Sequence, residues 1–334
     1  MTSWPQRVAL SVSKRLLERI PASTVVKTNL NNVLFLWNRA GLIPVLLYVF
    51  SEVVDLRLYD TYSSGLRRLL DTDLVLIKVR NYEMVIDLAD TGISKHLQLY
   101  RTWEHRSANV FEAELSELSS DGGDPIGVEI GANIGYYTIL TANAIESEAD
   151  VVAIEPNSSN HELLRRNIDV NGLRDRVTAH RCAIGAESGT ATLQLSNKSN
   201  LHRIEHGRVG RRAGGTETVP IWSLDEFLTG HGHDPSDVMS VRMDVEGYEL
   251  EVLQGMTEVL DSDGPLLLYL EMHNNILDDE DIHEVLGNLS DSGFEIRAVE
   301  RGSNIAHPFE IPFNANSWED LAEIETAYSL FVRK

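Results

Sequence analysis

The segment RMDVEGYE (242–249) places three carboxylates among apolar neighbours: Asp244, Glu246 and Glu249. A carboxylate at the end of a buried strand can take the proton from a hydroxyl group that is about to react. His273, in the segment LEMHNN, is a second candidate base because an imidazole titrates close to neutral pH. We therefore predict that Asp244, Glu246 and His273 form a catalytic group, and that Glu249 complements the dipole of the helix that follows.

The same part of the chain offers an alternative, a divalent metal site. Asp244, Glu271 and His273, with Asn274 beside them, would supply the oxygen and imidazole ligands that such cations take. Ligands that come from two different strands are weak sequence evidence for a metal site, so a site without metal is the preferred interpretation.

A glycine turn in VEIGANIGYYT (128–138) predicts a nucleoside-binding site. A strand that runs through such a turn into a helix is where doubly wound sheets bind nucleotides, and Gly131 and Gly135 would let the backbone approach a ligand. Asn133 stands where the dinucleotide fingerprint has a further glycine, which argues against NAD and FAD. Glu155, at the end of the next strand, is placed to accept the hydroxyl groups of a ribose.

These residues must be positioned by alternating strands and helices, which begin near residue 126. Continuous apolar strands separated by helices predict an α/β fold, a Rossmann-like, doubly wound and mostly parallel sheet of seven strands. Two short strands from residue 73 predict a hairpin ahead of it. The seven strands are expected at IGVEI, VVAIE, VTAHRCAI, MSVRMD, LLLYLEMH, EIRAVE and AYSLFVRK.

Residues 1–70 predict a separate helical extension before a domain at 71–334. The first 50 residues carry six basic side chains against Glu18, and the apolar stretch at 33–50 is interrupted by polar residues and a proline. Such a segment suits a helix that lies on the inner face of a membrane. A helical hairpin packed on the catalytic domain is the alternative. A secretory signal is not expected, which predicts a cytoplasmic protein.

Acidic residues outnumber basic ones by 51 to 29, and the formal net charge is −22. This charge argues against nucleic acid as a partner. Because the carboxylates are spread over the whole length, we interpret them as the surface of a halophilic protein, with an ordinary acidic protein as the alternative. The lone Cys182 excludes an internal disulfide.

Five segments carry a resemblance to a known family: VEIGANIGYYT, AIEPN, NIDVNGL, SLDEF and VRMDVEGYELEVLQGM. They resemble the FkbM family of class I S-adenosylmethionine-dependent methyltransferases, over about residues 80–275. Arg242 stands where the family more often has lysine, which keeps the charge but changes its geometry. The resemblance implies S-adenosylmethionine as cofactor and implies that it is bound by Glu129, Gly131, Asn133, Gly135, Glu155 and Ala183.

An insert at 196–222, between the third and fourth core strands, is basic in this acidic chain. Its side chains Arg211 and Arg212, together with Arg242, are predicted to contact an anionic acceptor such as a uronic acid or a phosphate-linked sugar. A solvated loop is the alternative interpretation.

The prediction for the whole chain is an O-methyltransferase that acts on a hydroxyl group of a sugar, a glycan or another small hydroxylated acceptor. One alternative is a nicotinamide-dependent oxidoreductase, which Asn133 disfavours. Another is a non-catalytic glycan-binding or membrane-associated protein that keeps the fold. Turnover of the cofactor distinguishes the methyltransferase from the non-catalytic protein. Nicotinamide binding distinguishes the oxidoreductase from the methyltransferase. The oligomeric state is left open.

Overall fold

The computed structural model describes residues 59–118, 125–145, 149–196, 198–205, 215–301 and 317–334. The chain divides into two compact units between Leu70 and Asp71, and the described part of the first unit is helix α1 (Tyr59–Leu70). The apolar stretch at 33–50 and the side chains of Arg211 and Arg212 lie outside the described residues, so the expectations about them stay predictions. Within the described ranges, none of the helices has the length and apolar character needed to span a bilayer.

The second unit alternates strands and helices, as its sequence predicts. Its helices are, in chain order, α2 (Ile93–Tyr100), α3 (His105–Leu118), α4 (Tyr136–Ala144), α5 (Ser158–Val170), α6 (Leu224–Gly230), α7 (Glu249–Gln254), α8 (Thr257–Leu260), α9 (Asp279–Asp291) and α10 (Trp318–Ala322). Its strands are β1 (Leu74–Val79), β2 (Tyr82–Asp87), β3 (Ile126–Ile130), β4 (Asp150–Ile154), β5 (Val177–His180), β6 (Ala183–Ile184), β7 (Gly189–Gln194), β8 (Arg203–Ile204), β9 (Thr216–Trp222), β10 (Val238–Met243), β11 (Leu267–Met272), β12 (Glu295–Arg301) and β13 (Tyr328–Arg333).

Seven strands form the main sheet, in the order β12-β13-β11-β10-β3-β4-β5. β3 pairs in parallel with β4 and β10, and the parallel pairing continues to β5 and β11, whereas β13 is antiparallel to both of its neighbours. Successive residues of β4 enter two different apolar cores, Val152 and Ile154 on one face and Val151 and Ala153 on the other. Burial on both faces explains the continuous apolar runs. The predicted α/β fold with a mostly parallel sheet of seven strands is confirmed.

The order of the strands reverses at β3, which lies between β4 and β10. Ligands of open α/β sheets bind in the crevice outside the carboxyl ends of the strands at such a point. The register pairs Ile130 with Ile154 on one side and with Met243 on the other. The residues that follow these three positions therefore meet at one edge of the sheet, and they include Glu155 and Asp244.

The predicted hairpin is also confirmed, because β1 and β2 pair antiparallel over their whole length. The hairpin is fixed to α5 by asparagine side chains. The amide oxygen of Asn167 accepts from the backbone N–H of Val85 at 2.6 Å, and its amide nitrogen donates to the carbonyl of Ile134 at 2.7 Å. Asn167 thereby connects the hairpin to the residues just before α4.

A second sheet of four strands, in the order β6-β9-β7-β8, differs from the prediction. The sequence VTAHRCAI was expected to be one core strand, but β5 ends at His180 and β6 pairs in parallel with β9 in the second sheet. The insert expected at 196–222 is therefore part of a structure that begins at β6. The strand GTATLQ (β7) gives no strong apolar signal, since its first two residues are exposed and only its last two are buried.

Candidate active site

Two glycines shape the turn between β3 and α4. Gly131 has a φ of +77° and lies so close to β10 that a Cβ atom there would overlap the carbonyl oxygen of Asp244. Gly135 has a φ of +92°, and a Cβ atom there would lie 2.7 Å from Cδ1 of Leu164 on α5. Asn133, between them, also has a positive φ, of +51°. Gly131 therefore lets the ends of β3 and β10 touch, and Gly135 lets α4 pack on α5.

The carboxylate of Glu155 is held by the backbone of two turns. Its Oε2 accepts from the N–H of Asn133 at 2.8 Å, and its Oε1 accepts from the N–H of Asn157 at 2.8 Å. Burial raises the pKa of Glu155 to about 7 and outweighs these hydrogen bonds, which act in the opposite direction. The predicted ribose-binding residue is therefore a buried acid that is fixed in position at the end of β4.

An open pocket lies at this edge of the sheet and includes about 580 Å³ of space, some of it continuous with solvent. Both the glycine turn and the second sheet contribute to it. Its lining includes the predicted residues Gly131, Asn133, Glu155, Ala183, Asp244 and Glu246, together with Ile184, Leu193, Ser199, His202, Ile204 and Tyr248.

Asp244, Glu246 and His273 meet beside this pocket. Single ligand-type atoms of the three side chains lie within 4.8 Å of one another, and Nε2 of His273 lies 3.9 Å from Oε1 of Glu246. His273 is buried, whereas Asp244 keeps 21% of its side chain exposed. The three residues that the sequence assigns to catalysis are thus brought together.

Glu249 takes a position that its place in the sequence does not reveal. It is the first residue of α7, as expected, but it is fully buried and its Oε1 lies 2.6 Å from Nδ1 of His273. Burial lowers the pKa of His273, but the charges of Glu249 and Glu246 outweigh burial and raise that pKa well above its ordinary value. Glu249 therefore orients the imidazole in addition to standing at a helix N-terminus.

Arg242 lies beneath the pocket and is not among its lining residues. It is 3% exposed, donates to Oδ2 of Asp244 at 3.0 Å and to the carbonyl of Gly131 at 3.3 Å, and its guanidinium lies 4.4 Å from the ring centre of Tyr137. Burial opposes its charge, but neighbouring groups, above all Asp244, raise its pKa further. In this position Arg242 supports Asp244, whereas direct contact with an acceptor stays a prediction.

A buried carboxyl group near Arg242 was not anticipated. Oε2 of Glu104 accepts from the hydroxyl groups of Tyr137 and Tyr269 at 2.9 and 3.0 Å. Burial raises the pKa of Glu104, the charge of Arg242 lowers it and that of Asp244 raises it. A glutamate in the loop between α2 and α3 carries no sequence signal for this site, because its partners lie 33 and 165 residues away.

Other predicted residues lie outside the pocket lining. Glu129 is buried within β3 and accepts a hydrogen bond from Thr141 of α4. Gly135 serves the packing of α4 against α5. Asn274 donates to the carbonyls of Leu321 and Ile324, and Glu271 is not part of the three-residue group around His273. Roles for Glu129 and Gly135 in cofactor binding stay predictions.

A protein-family model, the methyltransferase FkbM domain, matches residues 129–296, which is half of the chain. Methyltransferase sdnD of Sordaria araneosa is 26% identical over 174 residues, covering 45% of this chain and 67% of that protein. Hexuronic acid methyltransferase AglP of Haloferax volcanii is 29% identical over 160 residues, covering 47% of this chain and 59% of that protein. The matches thus span about two thirds of these relatives' length or less.

Among solved structures, M. jannaschii TYW2 in complex with AdoMet overlaps 78% of this chain and 84% of its own, with 14% identity and a TM-score of 0.39. This TM-score is too low to support any conclusion about the fold or function of the chain.

Proposed function

The chain belongs to the FkbM methyltransferase family, and from that premise we propose that it uses S-adenosylmethionine to methylate a hydroxyl group of a sugar or another small hydroxylated acceptor. One observation carries the proposal. The buried carboxylate of Glu155 and the group of Asp244, Glu246 and His273 adjoin the same pocket at the reversal point of the main sheet.

The lining of the pocket fits this cofactor. Glu155 offers carboxylate oxygens to the hydroxyl groups of a ribose, and Gly131 leaves no side chain between the turn and the ligand. The short apolar strand β6 adds Ala183 and Ile184, which suit the flat face of an adenine. When bound, the cofactor supplies a methyl group on a positively charged sulfur.

The group of Asp244, Glu246 and His273 serves the acceptor side of the reaction. The acceptor oxygen must lose its proton while its new bond to the methyl carbon forms and the carbon–sulfur bond breaks. Negative charge beside the pocket favours release of that proton from a well-aligned hydroxyl group. The hydrogen bond from His273 to Glu249 and the one from Arg242 to Asp244 hold two of the three side chains in place.

We propose an anionic sugar as the acceptor. The Haloferax volcanii relative is a hexuronic acid methyltransferase by name, and Arg211 and Arg212 belong to the segment between β8 and β9, whose strands form part of the second sheet beside the pocket. The net charge of −22 supports a protein adapted to high salt. We also propose that the enzyme works at the cytoplasmic face of a membrane.

Calorimetry of the full chain in molar potassium chloride tests the cofactor. We expect saturable binding of S-adenosylmethionine and S-adenosylhomocysteine and no binding of nicotinamide dinucleotides. Glu155→Ala should weaken binding by at least about tenfold, since a buried charge-assisted hydrogen bond is lost. Glu187→Gln, at an exposed position, is the matched control for a lost charge.

Transfer of a labelled methyl group to neutral sugars, uronic acids and phosphate-linked sugars then tests the acceptor. We expect incorporation of the label into uronic acids. The double variant Arg211→Gln and Arg212→Gln should reduce this incorporation. A folded protein that binds a nicotinamide cofactor instead of the methyl donor would contradict the proposed function.

A further inference from the structure

We propose that Asp244, Glu246 and His273 bind a divalent cation beside the pocket. Each of the three side chains offers one ligand atom, and these atoms lie within 4.8 Å of one another. Two carboxylate oxygens and one imidazole nitrogen suit a first-row cation such as Mn²⁺, which accepts both kinds of ligand. The catalytic use of this site rests on the proposed function, but binding of the cation is measured separately.

The environment of His273 supports the assignment. The ring is 5% exposed, and its Nδ1 is held by Glu249, which presents Nε2 to Asp244 and Glu246. Nε2 lies 3.9 Å from Oε1 of Glu246, which is beyond hydrogen-bond distance. Metal-binding histidines usually have a carboxylate or carbonyl on their second nitrogen. Glu249 takes that position here.

Asp244 is supported in a similar way. Its Oδ2 accepts from the buried guanidinium of Arg242, which is itself fixed by the carbonyl of Gly131 and the ring of Tyr137. A carboxylate that is held on one oxygen keeps its orientation, as carboxylate ligands of metals do. Both strand ends therefore present a ligand that a neighbouring charged side chain orients.

The charge balance of this region also favours a cation. Close to Asp244 or His273 lie the carboxyl groups of Glu104, Glu246, Glu249 and Glu271. With His273 as a neutral ligand, the cationic side chain that the described residues place among them is Arg242. A divalent cation would offset part of this excess negative charge.

The ligand set differs from the alternative that the sequence suggested. Glu246, from the turn after β10, joins Asp244 and His273, whereas Glu271 of β11 does not. A cation in this position would contact the acceptor hydroxyl group and lower its pKa. The proton would leave to solvent through the open pocket, and the oxygen would then form its bond to the methyl carbon while the sulfur keeps the electron pair of the broken bond.

Titration with Mn²⁺ tests the site. The full chain is treated with EDTA, exchanged into metal-free potassium chloride solution and titrated, with the free Mn²⁺ followed by electron paramagnetic resonance. We expect saturable binding that Asp244→Asn, Glu246→Gln and His273→Gln each weaken by at least about tenfold. Glu271→Gln tests the alternative ligand, and Glu187→Gln is the control for charge. Circular dichroism establishes that each variant is folded.

Absence of saturable Mn²⁺ binding by the folded wild type would overturn the cation site. Loss of binding in Glu271→Gln with binding retained in Glu246→Gln would overturn the ligand set. Binding of S-adenosylhomocysteine, measured on the same samples, separates this proposal from the proposed function. Mn²⁺ binding without S-adenosylhomocysteine binding supports the cation site and overturns the proposed cofactor. S-adenosylhomocysteine binding without Mn²⁺ binding supports the proposed cofactor and overturns the cation site.

Discussion

The carboxylate of Asp90 accepts two hydrogen bonds from Ser199, one from its backbone N–H at 3.1 Å and one from its hydroxyl group at 2.8 Å. The carbonyl of Ser199 in turn accepts from the amide groups of Asn133 and Asn160 at 3.3 and 2.9 Å. Because Ser199 and Asn133 line the pocket, Asp90 connects the loop after β2 to the wall of the pocket.

Asp90→Ala should weaken cofactor binding without unfolding the chain. The variant loses the two bonds to Ser199 and the bonds from the N–H groups of Gly92 and Ser94, so the segment that begins at Lys198 loses its anchor. We expect a loss in affinity of about tenfold, which corresponds to one or two hydrogen bonds. Calorimetry with S-adenosylhomocysteine measures it. Asp234→Ala is the matched control, because its carboxylate accepts from the N–H and the hydroxyl group of Ser236 within its own loop. Equal losses in both variants would contradict the anchoring role.

Cofactor affinity should fall as the pH decreases below about 7. Burial raises the pKa of Glu155 to about 7, and the ionised carboxylate is the form that accepts from ribose hydroxyl groups on both oxygens. Between pH 8 and pH 6 the ionised fraction of a group with this pKa decreases about tenfold, and affinity should follow it. Calorimetry across this range checks the slope. Glu155→Gln should bind weakly and with little dependence on pH; a steep slope that persists in this variant would assign the titration to another group.

The stability of the fold should decrease as Glu129 ionises, whereas cofactor affinity should increase as Glu155 ionises. Burial raises the pKa of Glu129 to about 7, so the folded state binds the proton more tightly than the unfolded state, and stability falls as the pH rises from about 4.5 to 7. Glu129→Gln removes this loss and should stabilise the fold by up to about 3 kcal/mol at pH 8. Urea unfolding at pH 5 and pH 8 measures it.

Thr141→Val serves as the control for Glu129, because it removes the hydroxyl group that donates to the carboxylate. This variant should lose more stability at pH 8 than at pH 5. A Glu129→Gln variant whose unfolding keeps the pH dependence of the wild type would show that another group titrates.

Gly131→Ala should abolish cofactor binding and destabilise the fold. The residue has a φ of +77°, and the added Cβ atom would overlap the carbonyl oxygen of Asp244. Gly172→Ala is the matched control, since Gly172 has a φ of +68° but no atom within 4 Å of an added Cβ. The control pays only the backbone strain of about 1 kcal/mol, and the Gly131 variant should lose several times more. Thermal unfolding compares the two, and similar losses would refute the close contact between β3 and β10.

Much of the main sheet could be predicted because its signals are local. The apolar runs that gave β3 and β10 are continuous, and the acid at the end of β4 marked Glu155 without any knowledge of its neighbours. The link between Glu249 and His273 could not be predicted, since it joins residues 24 apart through the packing of α7 against the end of β11. The same holds for Glu104, whose tyrosine partners are supplied by α4 and β11.

The second sheet escaped prediction for a different reason. Two of its strands, β6 and β8, have only two residues, and β9 mixes exposed with buried positions, so the apolar pattern is weak. The break between β5 and β6, at Arg181 and Cys182, depends on the pairing of β6 with β9. This pairing joins distant segments, so the local sequence of either strand does not indicate it.

The whole second sheet lies within a single crossover, between β5 and β10 of the main sheet. Its loops can lengthen, shorten or change composition without any rearrangement of the seven core strands. In an evolving lineage, the strand ends that carry Gly131, Glu155 and Asp244 can therefore stay constant while this one interval of the chain changes the rest of the pocket wall.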